Sequence, residues 1–296
     1  MIRHSKTTSE SWKNLPWKKF RKNLFRLQKR IFKAVRTGDI AKARSLQKLV
    51  LKSTSAKMLA IRQVTQLNKG RKTAGIDGKK ALTFKERFEL FEMLFEFNDW
   101  KHQGLRELPI PKKNGKARIL KVPTISDRAW QCLVKYALEP AHEATFHRFS
   151  YGFRPGRSAH DAQKIMQINL KSDVKGYEKR VIELDIKKCF DRISHKSIMD
   201  KLIAPTGTKL GIFRCLKAGI DPSFPEQGTS QGGIISPLLA NIALNGIEDI
   251  HKSIRYADDM IFFLKPKDDA VSVLNKVSKF LAERGMELSE EKTKVT

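Results

Sequence analysis

The sequence predicts an α+β fold in which antiparallel strands carry acidic residues and amphipathic helices pack beside them. Residues 254–264 form two short apolar runs separated by Asp258 and Asp259, which is typical of a β-hairpin with both carboxylates at its tip. Residues 181–186 indicate a buried strand that carries Asp185 near its end. Apolar residues recur every three or four positions from Trp17 to Val35, which predicts an amphipathic helix.

The three aspartates are the candidate site. For Asp258 and Asp259 alone, a solvated turn is the simpler explanation, because turns favour Asp. Asp185 changes that balance, since an unpaired carboxylate among Ile and Leu side chains costs several kcal/mol or more. If the strand lies beside the hairpin, three carboxylates converge. Such hard oxygen ligands suit Mg²⁺, and two ions about 3.5–4 Å apart form the clamp used in phosphoryl transfer.

Charge identifies a polyanionic partner. The formal net charge is +28, and residues 1–72 hold 21 Lys and Arg against Glu10 and Asp39, which leaves +19 in this segment. We expect salt-dependent binding to nucleic acid. Periodicity argues against a disordered tail and predicts helices over 17–35, 40–52 and 55–68. The first helix places its cations on or beside the face opposite its apolar stripe: Lys18, Lys22, Arg26, Lys29, Lys33 and Arg36.

Other classes of protein are disfavoured. No run approaches the roughly 18 apolar residues of a membrane span, and the N-terminus lacks the apolar segment of a secretory signal. The three scattered cysteines fit reduced thiols and not a disulfide framework or a zinc site. We therefore expect a cytoplasmic protein without a membrane partner.

The middle of the chain gives further elements. Asn114-Gly115 predicts a hairpin over 105–122. Predicted helices are 83–98 with a phenylalanine core, 125–148 with an interruption near Pro140, 159–170 capped by Ser158, 238–250 begun by Ser236-Pro237, and 270–284 ended by Gly285. Loops are predicted at 70–80, 151–158 and 228–233.

Several blocks resemble one protein family. Tyr256-Ala257-Asp258-Asp259 resembles the Y-x-D-D signature of reverse transcriptases, and the other blocks are similar to the group II intron-encoded reverse transcriptases, or maturases. These blocks are Thr73–Gly78, Ile110–Lys112 with Gly115–Arg118, Tyr151–Ser158, Leu184–Ile186 with Cys189–Asp191, Gln231–Asn241, and Leu288–Ser289 with Glu291–Thr293. They follow the family's order. Ala74 and Ser230 depart from the family pattern, since relatives usually carry Pro at the first of these positions and often at the second.

The resemblance implies a right-hand polymerase fold. Residues 1–72 would be a basic helical N-terminal extension, 73–180 the fingers, and 181–296 an antiparallel-sheet palm with helices on one face, with the thumb absent. It implies RNA-directed DNA synthesis with two Mg²⁺ ions, for which Mn²⁺ is a possible substitute. Asp185, Asp258 and Asp259 would be the catalytic ligands, helped by the Ile186 carbonyl.

The resemblance also assigns nucleotide-binding residues. Arg118 and Lys112 would clamp the triphosphate, and Phe190 would exclude a ribose 2′-hydroxyl. Gln231 and Gly232 would contact the nucleotide and the templating base, and Lys292 would lie near the leaving pyrophosphate. Nucleic acid would contact the helix cations named above and Arg71, Lys72, Arg154 and Arg157.

The implied partners are group II intron RNA, an RNA template, a DNA primer and dNTPs, in bacterial cytoplasm or an organelle, with a homodimer possible. The full-length protein would also act in splicing and retrohoming. Two alternatives stay open. One is a reverse transcriptase of CRISPR adaptation, which shares these blocks, and the other is a non-catalytic RNA-binding splicing factor that retains the fold.

Overall fold

The structure, a computed structural model, describes residues 8–111, 115, 117–171, 180–219 and 222–296. The helices are α1 (Thr8–Lys13), α2 (Trp17–Arg36), α3 (Ile40–Lys52), α4 (Thr54–Arg62), α5 (Phe84–Met93), α6 (Ile125–Glu143), α7 (Ala159–Leu170), α8 (Cys189–Arg192), α9 (His195–Lys201), α10 (Thr206–Lys217), α11 (Ser236–Leu244) and α12 (Ala270–Ala282). The strands are β1 (Arg106–Pro111), β2 (Ala117–Val122), β3 (Arg180–Leu184), β4 (Ile186–Lys187), β5 (Ser253–Tyr256), β6 (Asp259–Leu264), β7 (Glu287–Leu288) and β8 (Lys294–Val295).

The described residues divide into two compact units. The first unit contains those of Met1–Ala144, Ile203–Gly219 and Ser230–Ile235, and the second contains those of Thr145–Leu202, Ile220–Thr229 and Ser236–Thr296. No helix in the described part of the chain is both long and apolar enough to cross a membrane.

The three N-terminal helices predicted from periodicity are confirmed. α2 and α3 lie where the pattern places them, with Asp39 as the N-cap of α3, and α4 continues through a π-helical turn at Gln63–Leu67. The buried side of α2 consists of Leu24, Ile31 and Ala34. This side packs against α3, α4 and α6, so the three helices share one core with α6.

The predicted interruption at Pro140 is wrong, because α6 continues through it to Glu143. Proline has no N–H to donate to the carbonyl four residues earlier, which is that of Tyr136. The side chain of Gln28 in α2 supplies the missing donor, with its Nε2 3.1 Å from the Tyr136 oxygen. A tertiary hydrogen bond thus satisfies the freed carbonyl and ties α6 to α2.

The predicted phenylalanine core of helix 83–98 is confirmed only in part, because Phe97 is buried while Phe84, Phe88 and Phe91 are half-buried. α5 buries Arg87 and Leu90, and Leu94 follows in a short 3₁₀ turn, whereas Phe95 is 51% exposed. The Arg87 guanidinium stacks on Phe84 at 4.8 Å, and the Lys57 ammonium lies 3.1 Å from the Phe95 ring centroid. Phe84 and Phe95 thus cover two cations of the helical core.

In the described part of the second unit, four antiparallel strands form one sheet in the order β5-β6-β3-β8, and β4 pairs with β7. α7 has its predicted bounds, since Ser158 and Asp161 form a capping box. The helix predicted over 238–250 is shorter, because α11 ends at Leu244. Gly246 follows with φ +101°, a conformation that ends a helix, before a 3₁₀ turn at Ile247–Asp249.

Candidate active site

The Asp-Asp hairpin predicted from the sequence is confirmed. β5 and β6 pair as far as Tyr256 and Asp259, which leaves a two-residue turn of Ala257 and Asp258. Ala257 has φ +60°, in the left-handed region that the primed hairpin turns require and that non-glycine residues disfavour. Such strain costs on the order of 1–3 kcal/mol, so surrounding structure must hold the turn.

The sheet brings Asp185 to the same place. β3 pairs with β6 so that Leu184 lies opposite Met260, and the next residue outward on each strand is Asp185 and Asp259. Because side chains alternate along a strand, these two aspartates lie on the same face as the pair Glu183 and Ile261. Asp185 and Asp259 thus stand side by side at one end of the sheet, and Asp258 adjoins them in the turn.

The electrostatics reflect this convergence. Burial, followed by the carboxylates of Asp258 and Asp185, raises the pKa of Asp259 above its ordinary value. The ammonium of Lys292 forms an ion pair with Asp185, whose side chain is 13% exposed. The hydrogen bond to Asp185 and its charge raise the pKa of Lys292. One lysine therefore partly compensates a group of mutually repelling acids.

The donor set fits hard divalent cations, because carboxylate oxygens are the ligands that Mg²⁺ prefers. The main-chain carbonyl assigned to the site belongs to Ile186, a buried residue of β4 that pairs with Leu288. Within the described ranges, no group of three or more His, Cys, Asp or Glu side chains is arranged so that it could hold a metal ion as it stands. Lys292 occupies one oxygen of Asp185 in this arrangement.

Sequence reasoning missed the residue that holds the turn. The side chain of Arg255 is fully buried, and it donates to four groups: Glu248 Oε1 at 2.6 Å, Asn241 Oδ1 at 2.8 Å, Ser150 Oγ at 2.8 Å and the Ala257 carbonyl at 3.0 Å. These charge-assisted bonds reach the turn directly. An arginine inside an otherwise apolar strand was the sequence signal, because it requires buried partners.

The block Tyr151–Ser158 also supports the turn. The Tyr151 N–H donates to the Arg255 carbonyl at 2.9 Å, and the Asn241 amide donates to the Gly152 carbonyl at 2.9 Å. A Cβ on Gly152 would lie 2.3 Å from the Ala257 nitrogen, so only glycine permits this approach. The loop therefore packs its backbone directly on the turn.

The basic residues of this loop, Arg154 and Arg157, make hydrogen bonds to nearby backbone carbonyls. Arg154 is only 7% exposed, and its guanidinium donates to the carbonyls of His147 and Ser150 at 2.7 and 2.5 Å. Arg157 is half-buried over the Tyr151 ring and donates to the Arg148 carbonyl. Both arginines stabilise their own loop, and their nucleic-acid role stays a prediction.

Phe190 is the second residue of α8, a helix that begins directly after Lys188, whose backbone has the left-handed conformation. Its ring centroid is 6.3 Å from that of Phe153, and both rings line a shallow depression with Asn241, Ala257 and Asp258. The side chain assigned to sugar selection thus adjoins one of the three aspartates. Its role in selection stays a prediction.

The first unit holds the other nucleotide-binding candidates. Arg118 is an exposed residue of β2, opposite Ile110 in the predicted hairpin, which is confirmed. The loop that carries Gln231 and Gly232 packs on the same strand, because a Cβ on Gly232 would lie 2.7 Å from the Lys121 carbonyl oxygen. Lys112 lies outside the described residues.

The six cations predicted on α2 are all exposed, and so is Lys72. Arg71 is half-buried and donates to the Gln66 carbonyl.

Comparison with known proteins identifies the family. Residues 110–296, more than half of the chain, match the family described as "Reverse transcriptase (RNA-dependent DNA polymerase)", and residues 12–94 match "N-terminal domain of reverse transcriptase". The chain is 40% identical over 282 residues to "Maturase-like protein 1" of Euglena gracilis, covering 95% of this chain and 61% of that protein. It is 36% identical over 191 residues to "Group II intron-encoded protein LtrA" of Lactococcus lactis subsp. cremoris, covering 61% of this chain and 31% of that protein. The chain thus spans less than two thirds of these relatives.

Among solved structures, the telomerase from Candida albicans, described as a complex with a fragment of telomeric RNA, aligns with a TM-score of 0.45 at 16% identity, covering 68% of this chain and 42% of that one. The family assignment rests on the sequence matches. The chain belongs to the reverse transcriptase family, and its relatives place it with the group II intron reverse transcriptases and maturases.

Proposed function

We propose that this chain performs RNA-directed DNA synthesis of the group II intron type, and that in the full-length protein it also binds intron RNA for splicing and retrohoming. The observation that carries the proposal is the placement of Asp185 and Asp259 at adjoining strand ends with Asp258 in the turn beside them. Acids held together against their repulsion require compensating cations.

The reaction joins the primer 3′-hydroxyl oxygen to the α-phosphorus of a dNTP. The hydroxyl proton passes to solvent, the bond from that phosphorus to the bridging oxygen breaks, and pyrophosphate leaves. Asp185, Asp258 and Asp259, with the Ile186 carbonyl, would hold two Mg²⁺ ions or Mn²⁺ in their place. When bound, the ions would make the hydroxyl a better nucleophile and neutralise charge on the leaving group. The carboxylates therefore serve to position and to compensate charge.

Other residues would orient the nucleotide. Arg118 offers a planar guanidinium on a defined strand, which suits bidentate contact with the triphosphate, and Lys112 would add a point charge. Gln231 and Gly232 would contact the nucleotide through a loop held at β2. In the second unit, Phe190 would exclude the 2′-hydroxyl.

Lys292 would act after substrate binds. Once it leaves Asp185, its ammonium can donate a proton to the departing pyrophosphate. The raised pKa of Lys292 keeps the ammonium protonated while it is paired with Asp185.

Titration with Mn²⁺ followed by electron paramagnetic resonance, together with primer extension on an RNA template, tests the proposal. Asp258→Asn should weaken Mn²⁺ binding about tenfold or more and abolish extension, because it removes a ligand charge without changing shape. Glu183→Gln is the matched control, since Glu183 is an exposed carboxylate on the same face of β3 as Asp185, and it should change neither. Extension that survives Asp258→Asn would contradict the metal assignment. RNA binding without extension in the wild-type chain would favour the non-catalytic splicing factor.

A further inference from the structure

The solvent-facing side of α2 has an unexpected composition. The helix contains nine Lys and Arg residues and no acidic residue. Steps of four and three residues place one stripe along its exposed side: Lys18, Lys22, Phe25, Lys29, Phe32 and Arg36. All six side chains are exposed, and the opposite side of the helix is buried against α3, α4 and α6. The stripe therefore alternates cations with aromatic rings.

The two phenylalanines are the informative members of this stripe. Phe25 is 63% exposed and Phe32 is 39% exposed. Single exposed apolar residues are normal on protein surfaces. These two, however, are seven residues apart on one stripe with Lys29 between them in sequence, and the Lys29 ammonium lies 6.0 Å from the Phe25 ring centroid. At a rise of about 1.5 Å per residue, the rings are separated by about 10 Å along the helix.

We propose that this stripe binds a single-stranded, unpaired segment of RNA, with bases stacking on Phe25 and Phe32 and phosphates contacting the intervening cations. The inference rests on the proposed function, because it specifies which RNA the N-terminal helices recognise. Ring faces accept any base, and basic grooves lined with aromatic residues are the usual surfaces for single strands. A duplex hides its base faces, so it would meet the cations alone.

The geometry agrees with this occupant. Nucleotides advance about 3.4 Å per residue along a stacked strand, so rings about 10 Å apart would meet bases about three nucleotides apart. An anionic membrane is the main competitor, since basic helices with aromatic residues also bind lipid surfaces. Such helices insert their apolar face, and the apolar face of α2 is already buried in the protein.

The test measures binding of two labelled RNAs to the full chain by fluorescence anisotropy. One is an unstructured single strand of about twelve nucleotides, and the other is a blunt RNA duplex of the same length. At about 3.4 Å per nucleotide, the single strand is longer than the stripe. Phe25→Ala with Phe32→Ala should weaken single-strand binding between about 5-fold and 150-fold for each ring removed. Duplex affinity and the salt dependence of both complexes should be unchanged. Phe25→Trp with Phe32→Trp should retain single-strand binding, because indole also stacks.

Two controls separate the possible failures. Leu49→Ala removes a comparably exposed apolar side chain, 51% exposed, from the neighbouring α3 and should leave both affinities unchanged. Lys22→Gln with Lys29→Gln should weaken the binding of both RNAs and reduce the dependence of that binding on salt concentration. If the phenylalanine variant loses affinity equally for the single strand and the duplex, or loses affinity for neither, the stacking inference is overturned. The proposed RNA-binding role would not be affected by that outcome. A wild-type chain that binds neither RNA would overturn the proposed RNA-binding role as well. Binding to phosphatidylserine–phosphatidylcholine vesicles is measured in parallel. If the phenylalanine variant loses vesicle binding and retains RNA binding, the stripe belongs to a lipid surface and the inference is refuted.

Discussion

Replacing Arg255 with methionine should release the turn that carries Asp258 and leave Glu248 as a buried, unpaired charge. The Glu248 side chain is 1% exposed, its Oε1 accepts from Arg255, and its Oε2 has no hydrogen-bond partner among the described residues. Removing one partner of a buried ion pair costs about 3–5 kcal/mol, because the remaining charge stays desolvated. We expect a loss of this size in the second unit.

A double variant separates stability from positioning. Arg255→Met with Glu248→Met removes both charges, and replacing a buried ion pair with apolar residues of similar size is often neutral or stabilising. Stability should therefore largely recover. The hydrogen bonds from Arg255 to Asn241 and to the Ala257 carbonyl remain lost, so Mn²⁺ affinity and primer extension should stay low. This separation would identify Arg255 as a positioning residue.

Hydrogen exchange measured by mass spectrometry over residues 253–264 reports the local effect. A loss of 3–5 kcal/mol corresponds to exchange faster by roughly two to four powers of ten. Tryptophan fluorescence provides an internal control, because Trp12, Trp17, Trp100 and Trp130 all belong to the first unit, whose unfolding should not change. Unchanged exchange in the single variant, or metal affinity that recovers with stability in the double variant, would refute the reasoning.

Three further predictions follow from individual side chains. Phe190→Ala should raise ribonucleotide incorporation about tenfold or more in a nucleotide-competition assay, whereas Phe190→Tyr should not; unchanged sugar selectivity would reject the gate. Arg118→Lys should raise the KM for dNTP by more than it lowers kcat, because lysine loses the bidentate contact, and Arg106→Lys in the same hairpin should be silent. Burial lowers the pKa of Lys57 from 10.5 to about 8. Between these two pH values the unfolded chain binds more protons, so this residue's contribution to stability rises with pH. Between pH 7.5 and 9.5, Lys57 should raise the free energy of unfolding of the wild-type chain by on the order of 1–2 kcal/mol, and Lys57→Met should remove this rise. Fluorescence-monitored unfolding measures it, and an equal rise in the variant would contradict the lowered pKa of Lys57.

Local rules predicted most elements and several boundaries. α3 and α7 have their predicted bounds because the sequence carries their caps, Asp39 and Ser158, next to the periodic residues. The hairpins were predictable from their apolar runs and turn residues. The pairing of β3 with β6 could not be predicted in this way, and only the structure shows it. Resemblance assigned the three aspartates to one site, and the register of β3 on β6 gives the physical arrangement that brings them together.

What the sequence could not show depends on distant partners. Ser150 lies 105 residues from Arg255, so no local pattern announces their hydrogen bond. The same holds for Pro140, whose freed carbonyl acceptor is satisfied by a side chain 108 residues away from it. The chain also returns from the second unit to the first at residues 203–219, where a Cβ on Gly211 would lie 2.6 Å from the Trp130 ring. At Pro140 a tertiary contact overrode local propensity, and at the other positions the contact has no local signal.

The two cations around the aspartates differ in a way that suits their separate tasks. Arg255 is fully buried and its guanidinium donates several hydrogen bonds, so the side chain is held in one position and its removal is costly. Lys292 is 67% exposed, and an ion pair of that kind contributes at most about 1 kcal/mol, because water screens it and the side chain must be ordered. A divalent cation with its greater charge can therefore displace Lys292 from Asp185 at little cost, whereas it leaves Arg255 in place. Arg255 is thus a permanent support for the strained turn, whereas Lys292 is a partner of Asp185 that the proposed metal ions could readily replace.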